Sequence, residues 1–129
     1  GKSVKTVNKS DLQTVIDIKK AMGDKPVITI INTGKPFVPE FEPYSDAVLV
    51  CFGCQNQAIL DLVSGAAEPS ALLPMQLPAD MKTVELQMED VPFDMECYVD
   101  AAGNAYDFAY GLNWSGRIDD ERVTKYGNK

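Results

Sequence analysis

Two cysteines separated by two residues form the most reactive pattern in this sequence. Cys51 and Cys54 follow an apolar run and precede a segment with helical spacing. A thioredoxin-like redox pair is expected in this context, because a helix N-terminus lowers the pKa of a thiol. However, Cys51 lies within the apolar run, and neither Trp nor Pro stands between the cysteines. Buried, unreactive side chains are therefore the favoured prediction, and the redox module stays an alternative.

A metal site is not predicted. The third cysteine is Cys97, and the chain contains no histidine. Three cysteines leave a tetrahedral zinc site short of a conventional ligand. The odd number also argues against a fully paired disulfide framework. The sequence leaves the roles of the three cysteines open.

Four carboxylates could supply acid–base chemistry, although solvated surface is the default for such residues in an acidic protein. They are Glu40, Glu42, Asp46 and Glu68. Residues 32–36 (N-T-G-K-P) follow an apolar run, as a phosphate-binding loop would. They lack the spacing of that loop, and Pro36 removes an N–H, so a structural turn is predicted. Aromatic side chains in residues 107–114 could stack on sugar rings, but packing onto the domain is the commoner explanation.

Composition excludes several classes of protein. The chain has 129 residues, with 12 basic and 19 acidic side chains and a net charge of −7. That charge disfavours binding to nucleic acid. The absence of histidine excludes a Ser–His nucleophile and a His-ligated metal. Hydrophobic residues make up 45% of the chain, which predicts one folded domain spanning residues 1–129. No apolar stretch reaches the roughly 20 residues of a membrane span.

The elements that position these groups follow from periodicity. Residues 11–22 have helical spacing, with a capping-box pattern at Ser10 and a glycine stop at Gly23. The β-branched run 27–31 and the apolar run 47–52 predict strands that are covered on both faces, as in parallel sheets. Residues 57–63 predict a second helix. This order indicates an α/β layered fold.

The second half of the chain has a different composition. Prolines interrupt residues 69–92 and predict extended or irregular structure. Residues 97–99 and 105–108 are predicted to form a hairpin around Gly103 and Asn104. The charged tail that begins at Arg117 is expected to fray.

Five segments, taken in order, resemble glycoside hydrolase family 3, the β-glucosidase family. Residues 25–36 are similar to the family's K-P-V-V-x-V-x-x-x-G-R-P stretch, and residues 45–49 are similar to its S-D-A-I-L strand. Residues 57–65 resemble Q-A-I-A-D-V-L-F-G. Residues 67–74 resemble N-P-S-G-R-L-P, and residues 107–112 resemble F-P-F-G-Y-G-L. The matched region is the family's C-terminal domain, a three-layer α/β sandwich with a mainly parallel sheet flanked by helices.

The resemblance implies retaining hydrolysis of O-glycosyl bonds in β-glucosides or related oligosaccharides, by one carboxylate nucleophile and one acid/base carboxylate. The nucleophile belongs to an N-terminal (β/α)8 barrel, which this chain does not contain and which would be its partner. The acid/base glutamate lies upstream of the K-P-V strand, and no glutamate precedes Glu40. The sequence therefore assigns no catalytic residue, no cofactor ligand and no metal ligand, and we expect the isolated fragment to be inactive.

Two departures from the family pattern indicate a divergent subgroup. Residues 53–57 (G-C-Q-N-Q) replace the family's P-G-x-E-G-G loop, and residues 67–74 lack its glycine and arginine. A non-catalytic carbohydrate-binding or interaction module stays an alternative. The family resemblance suggests a periplasmic or extracellular location, which the residues themselves do not test.

Overall fold

A computed structural model of the chain describes residues 9–88 and 90–127. These residues form a small α/β domain with four helices and two short sheets. The helices are α1 (Lys9–Met22), α2 (Asn56–Val63), α3 (Met81–Leu86) and α4 (Glu121–Tyr126). The strands are β1 (Ile28–Asn32), β2 (Ala47–Cys51), β3 (Leu112–Asn113) and β4 (Gly116–Arg117), and a 3-10 helix spans Glu42–Tyr44.

Helix α1 confirms the first predicted element and differs from it at one end. The prediction made Ser10 the N-cap, but the helix already includes Lys9, so Ser10 lies inside it. The Thr14 hydroxyl donates to the carbonyl of Ser10 at 2.9 Å, one turn back. The predicted stop is confirmed at Gly23, whose φ is +58° and whose N–H donates to the carbonyl of Lys19 at 3.2 Å.

Strands β1 and β2 form the predicted parallel pair, with Ile28 opposite Ala47 and Asn32 opposite Cys51. Alternate residues of a strand share a face, so Ile28 and Ile30 lie on one face together with alternate residues of β2. Ile28 is 40% exposed and Ile30 is 42% exposed. The prediction that both faces are covered is therefore wrong for the part of the chain that the structure describes. On the opposite face Thr29 is buried.

Asp46 joins helix α1 to the sheet. Its carboxylate accepts hydrogen bonds from the Lys19 ammonium and from the backbone N–H of Val27, both at 2.7 Å. The bond from Lys19, followed by that from Val27, lowers the pKa of the Asp46 carboxyl. The Asp46 carboxylate therefore connects α1 with the residue that precedes β1.

The second half of the chain confirms the predicted hairpin. Val99 and Ala105 form an antiparallel bridge, and the Tyr106 N–H donates to the Tyr98 carbonyl at 2.8 Å. Gly103, in the turn, has a φ of +85°, a conformation that disfavours residues with a Cβ.

Helices α3 and α4 were not predicted. Asp80 caps α3 by accepting from the N–H of Thr83 at 2.8 Å, and Asp120 caps α4 by accepting from the N–H of Arg122 at 2.9 Å. The prediction that the tail frays from Arg117 is therefore wrong for residues up to 127. Strand β4 includes Arg117 itself, and α4 follows it.

The most buried apolar side chains lie mainly in this second half. Leu77 is 1% exposed, and Ala109, Tyr110 and Ile118 are also buried. Two segments that carry the family resemblance meet here: the N–H of Leu73 donates to the carbonyl of Tyr110 at 2.7 Å, and the N–H of Ala109 donates to the carbonyl of Leu73 at 2.9 Å. Residues 67–74 and 107–112, which resemble the family separately in the sequence, therefore contact each other in the structure.

Candidate functional site

The two loops at the carboxyl ends of β1 and β2 form the first candidate site. The N–H of Thr33 donates to the carbonyl of Cys51 at 2.9 Å, and the N–H of Gly53 donates to the side-chain oxygen of Asn32 at 3.1 Å. Open α/β sheets bind ligands outside the carboxyl ends of their strands. The structure therefore brings the loop at 32–36 and the Cys51–Cys54 motif together at the edge where such a site is expected.

The two cysteines of the motif form a disulfide. Cys51 is 3% exposed at the end of β2, whereas Cys54 is exposed in the loop that leads to α2. The backbone N–H of Cys54 also donates to the sulfur of Cys51 at 2.9 Å. The expectation of burial is thus right for Cys51 and wrong for Cys54, because the loop carries Cys54 outward.

Residues 32–36 form the structural turn that the sequence predicts. The Thr33 hydroxyl donates to the carbonyl of Lys35 at 2.9 Å, and the N–H of Lys35 donates back to that hydroxyl at 3.1 Å. Since Lys35 uses its N–H within the turn and Pro36 has none, two donors of a phosphate cradle are missing. The loop therefore positions the strand end and is not built to hold a phosphate.

The hydrogen bonds of the other carboxylates lie away from these loops. Glu42 accepts from the hydroxyl of Tyr98 at 2.8 Å, and Glu68 accepts from the backbone N–H of Trp114 at 3.2 Å. Glu40 is exposed. Glu42, Asp46 and Glu68 thus each bond to a different segment of the chain.

A row of tyrosines is the main feature that the sequence did not predict. Tyr98 and Tyr106 pack edge to face with ring centres 5.3 Å apart, and Tyr106 and Tyr110 stack at 5.2 Å. The guanidinium of Arg117 lies 5.7 Å above the Tyr110 ring. Burial, with Glu42 beside it, raises the pKa of Tyr98 to about 12, and burial also raises the pKa of Tyr106 and Tyr110. These rings pack against one another, and the hydroxyl of Tyr98 bonds to Glu42 and so joins the hairpin to the 3-10 helix.

Two of the three aromatic side chains in residues 107–114 pack onto the domain, which is the favoured prediction over stacking on sugar rings. Phe108 meets Phe93 edge to face with centroids 5.1 Å apart, and Tyr110 is buried. Trp114 is the exception, because its side chain is 65% exposed. The segment also takes part in a polar contact. The amide of the buried Gln76 donates to Asp107 at 2.8 Å and to the sulfur of Cys97 at 3.2 Å.

The surroundings of Cys97 disfavour its thiolate form. Burial, followed by the neighbouring Asp107 carboxylate, raises the pKa of its thiol to about 11. Within residues 9–88 and 90–127, no cluster of three or more His, Cys, Asp or Glu side chains could hold a metal ion. Over the same residues, none of the helices combines the length and hydrophobicity that crossing a bilayer requires.

The parallel strand pair, the helix on either side of it in the chain and the loops at its carboxyl edge define a small α/β domain. The family model for the glycosyl hydrolase family 3 C-terminal domain matches residues 4–114. The chain therefore belongs to that family, as the resemblance predicts.

Three curated relatives support this assignment. The chain is 35% identical over 99 residues to beta-glucosidase C of Emericella nidulans, and 34% identical over 106 residues to the probable beta-glucosidase C of Aspergillus flavus and of Aspergillus oryzae. The matches cover 77% to 82% of this chain and 14% of each relative. No solved structure matches the chain significantly.

Proposed function

We propose that this chain is part of the C-terminal domain of a β-glucosidase-like glycoside hydrolase, and that it acts together with an N-terminal (β/α)8 barrel. One observation carries the proposal. The chain belongs to the family's C-terminal domain and matches proteins named beta-glucosidase over only 14% of their length. In the intact enzyme, this domain would help to form the wall of a site that binds a β-glucoside or a related oligosaccharide.

The contacts of the carboxylates support a non-catalytic role for these residues. Retaining glycosidases place two carboxyl groups about 5–5.5 Å apart across the scissile bond. Here Glu42, Asp46 and Glu68 have bonding partners in separate parts of the chain. Under the proposal, both reacting carboxylates come from the rest of the enzyme, and the chain alone does not hydrolyse glycosides.

The balance of buried and exposed apolar side chains supports a covering partner. Among the described residues, eight apolar residues are buried, with Pro39 and Pro78 included, whereas sixteen large apolar residues are more than a third exposed. Ile28 and Ile30 of the open sheet face are among the exposed ones. Monomeric proteins rarely leave contiguous apolar surface uncovered. We infer that further elements of the enzyme cover this face, which would complete a three-layer sandwich.

Hydrolysis of an aryl β-glucoside tests the proposal. The chain alone should give no turnover above buffer, and the intact parent enzyme should give turnover that is lost when the segment equivalent to residues 1–129 is deleted. Turnover by the isolated chain at the level of the intact enzyme would overturn the proposal. Saturable binding of cello-oligosaccharides by the chain alone would instead indicate a stand-alone carbohydrate-binding module.

A pair of substitutions tests the open face separately. Ile30→Glu places a charge where a covering layer is expected, and Thr124→Glu places the same charge at an exposed position of α4. In the intact enzyme, Ile30→Glu should lower the yield of folded, active protein several-fold, because burial of an unpaired carboxylate is unfavourable. Thr124→Glu should leave the yield unchanged. Equal yields from both variants would show that the face is not covered.

A further inference from the structure

The disulfide at the end of β2 has an accessible side and a buried side. Cys54 is exposed in the loop, whereas Cys51 is 3% exposed at the end of the strand. Exchange requires a thiolate to reach one sulfur of the disulfide, and access decides which sulfur is attacked. An external thiol can therefore reach the sulfur of Cys54, and the sulfur of Cys51 is the leaving group.

We propose that Cys51–Cys54 is a thiol–disulfide exchange site that accepts electrons from a dithiol. One thiolate of the reductant attacks the sulfur of Cys54, the Cys51–Cys54 bond breaks, and Cys51 leaves as a thiolate. The second thiol of the reductant, as its thiolate, then attacks the reductant sulfur that is bonded to Cys54. Cys54 leaves as a thiolate. The reductant becomes a disulfide, and the protein gains two electrons and two protons as a pair of thiols.

The leaving sulfur is already hydrogen-bonded. The backbone N–H of Cys54 donates to the sulfur of Cys51 at 2.9 Å, and a bond of this kind strengthens when the acceptor becomes charged. Both groups belong to the same four-residue loop, so the donor stays close when the sulfur–sulfur bond breaks. The loop therefore stabilises the thiolate that the first step produces.

The surrounding backbone does not depend on the disulfide. The N–H of Thr33 holds the carbonyl of Cys51 at 2.9 Å, and the N–H of Gly53 holds the side chain of Asn32 at 3.1 Å. Neither bond involves a sulfur atom, so neither requires the disulfide. Reduction should consequently leave the parallel strand pair intact, and the exchange should be reversible.

The third cysteine does not compete. Cys97 is half-buried and bonded to the amide of Gln76. The buried setting and the Asp107 carboxylate raise the pKa of this thiol and keep it protonated at neutral pH. The exchange chemistry is thus restricted to the Cys51–Cys54 pair.

Glutathione, a monothiol, is the probe that traps the intermediate. The folded 129-residue chain is incubated with excess glutathione, quenched early with N-ethylmaleimide and mapped by mass spectrometry. We expect glutathione on Cys54 and maleimide on Cys51, in at least about tenfold excess over the reverse pattern. Glutathione found mainly on Cys51, or a disulfide that millimolar dithiothreitol reduces only after unfolding, would overturn the proposal.

Two matched variants test the asymmetry of access. Cys51→Ser leaves the exposed Cys54 thiol free, and Cys54→Ser leaves the buried Cys51 thiol free. In native buffer, maleimide should label the first variant at least about 100-fold faster than the second, and in urea both rates should converge. Equal native rates in two folded variants would contradict the inference. If either variant fails to fold, the trapping pattern of the unmodified chain decides.

Discussion

Gly111 lies where two segments of backbone approach closely, and its replacement gives a sharp test of the packing. A Cβ placed on Gly111 would overlap the carbonyl oxygen of Ala71 and would lie 3.0 Å from a methyl carbon of Leu72. The Leu72 side chain can rotate away, but the carbonyl of Ala71 belongs to the backbone. Gly111→Ala therefore forces the segments 71–73 and 109–111 apart.

The size of the effect follows from what surrounds this contact. Overpacking a rigid site costs about 1–3 kcal/mol. The upper end applies if a neighbouring backbone bond weakens, such as the Leu73–Tyr110 bond of 2.7 Å or the Ile118–Gly111 bond of 3.0 Å. The unfolding entropy is about 0.27 kcal/mol/K for 129 residues. The expected decrease in Tm is therefore about 4–11 °C.

Gly34→Ala is the matched control. A Cβ placed on Gly34 would have no heavy atom within 4 Å, and Gly34 does not have a positive φ, so the same methyl group meets open space. Both substitutions remove the same freedom from the unfolded chain, and that contribution cancels between them. We expect Gly34→Ala to change stability by less than about 0.5 kcal/mol.

Urea unfolding and thermal melting of the two variants provide the measurement. Equal stabilities of Gly111→Ala and Gly34→Ala would refute the close approach of the two segments. A second comparison locates the contact: Leu72→Ala combined with Gly111→Ala should not restore stability, because the overlap is with the Ala71 carbonyl. Rescue by the second substitution would place the clash on the Leu72 side chain instead.

Three further predictions concern single side chains. Leu77→Ala should lower the free energy of unfolding by about 2–5 kcal/mol in urea titrations, because Leu77 is 1% exposed, whereas Leu60→Ala at a 60% exposed position should have little effect. Asp46→Asn should lower the Tm at neutral pH. The pKa of Asp46 is lowered in the folded state, so the ionised carboxylate stabilises the fold at a pH above the usual aspartate range. This stabilisation disappears as the pH falls through the folded-state pKa. The difference in Tm between the unmodified chain and Asp46→Asn should therefore close in acid. Tyr98→Phe removes the bond to Glu42 and should cost about 1 kcal/mol by the same titration.

The first half of the fold was predictable because its signals are local. Helix α1 has apolar residues at helical spacing and a glycine stop, and the run at 28–32 is β-branched. The parallel pairing of β1 with β2 followed from near-continuous apolar runs. The uncovered face could not be predicted in the same way. An apolar run indicates that both faces of a strand are to be covered, but it does not indicate which chain or domain supplies the cover.

The second half was harder to predict because its helices are short. Helices α3 and α4 each span six residues, too few for a periodic pattern. The signals that existed were the aspartates before them, Asp80 and Asp120, which are good N-cap residues. The row of tyrosines depends on the contact of Tyr98 with Tyr106 across the hairpin and on the contact of Tyr106 with Tyr110, and neither contact was predicted from the sequence.

The candidate site was predicted in its parts and not in its arrangement. The Cys51–Cys54 motif and the turn at 32–36 were each identified from the sequence, but their contact depends on the register that sets Asn32 beside Cys51. The exposure of Cys54 was also missed. The apolar run predicts burial for Cys51, which lies within it, and it says nothing about where the following loop carries the side chain of Cys54.

The exchange site and the proposed covering layer are compatible, because they occupy different parts of one sheet face. Alternation along β2 places Cys51 on the face that also carries Ile28 and Ile30. Exposure on that face is 40% and 42% at the two isoleucines and 3% at Cys51, where the 51–54 loop returns over the strand end. The face therefore needs cover along the strands but not at their carboxyl end. If a covering partner packs only on the isoleucines, the exposed Cys54 stays accessible, and glutathione trapping in the intact enzyme should again place glutathione on Cys54. Loss of trapping there would show that the cover extends over the carboxyl end of the strands.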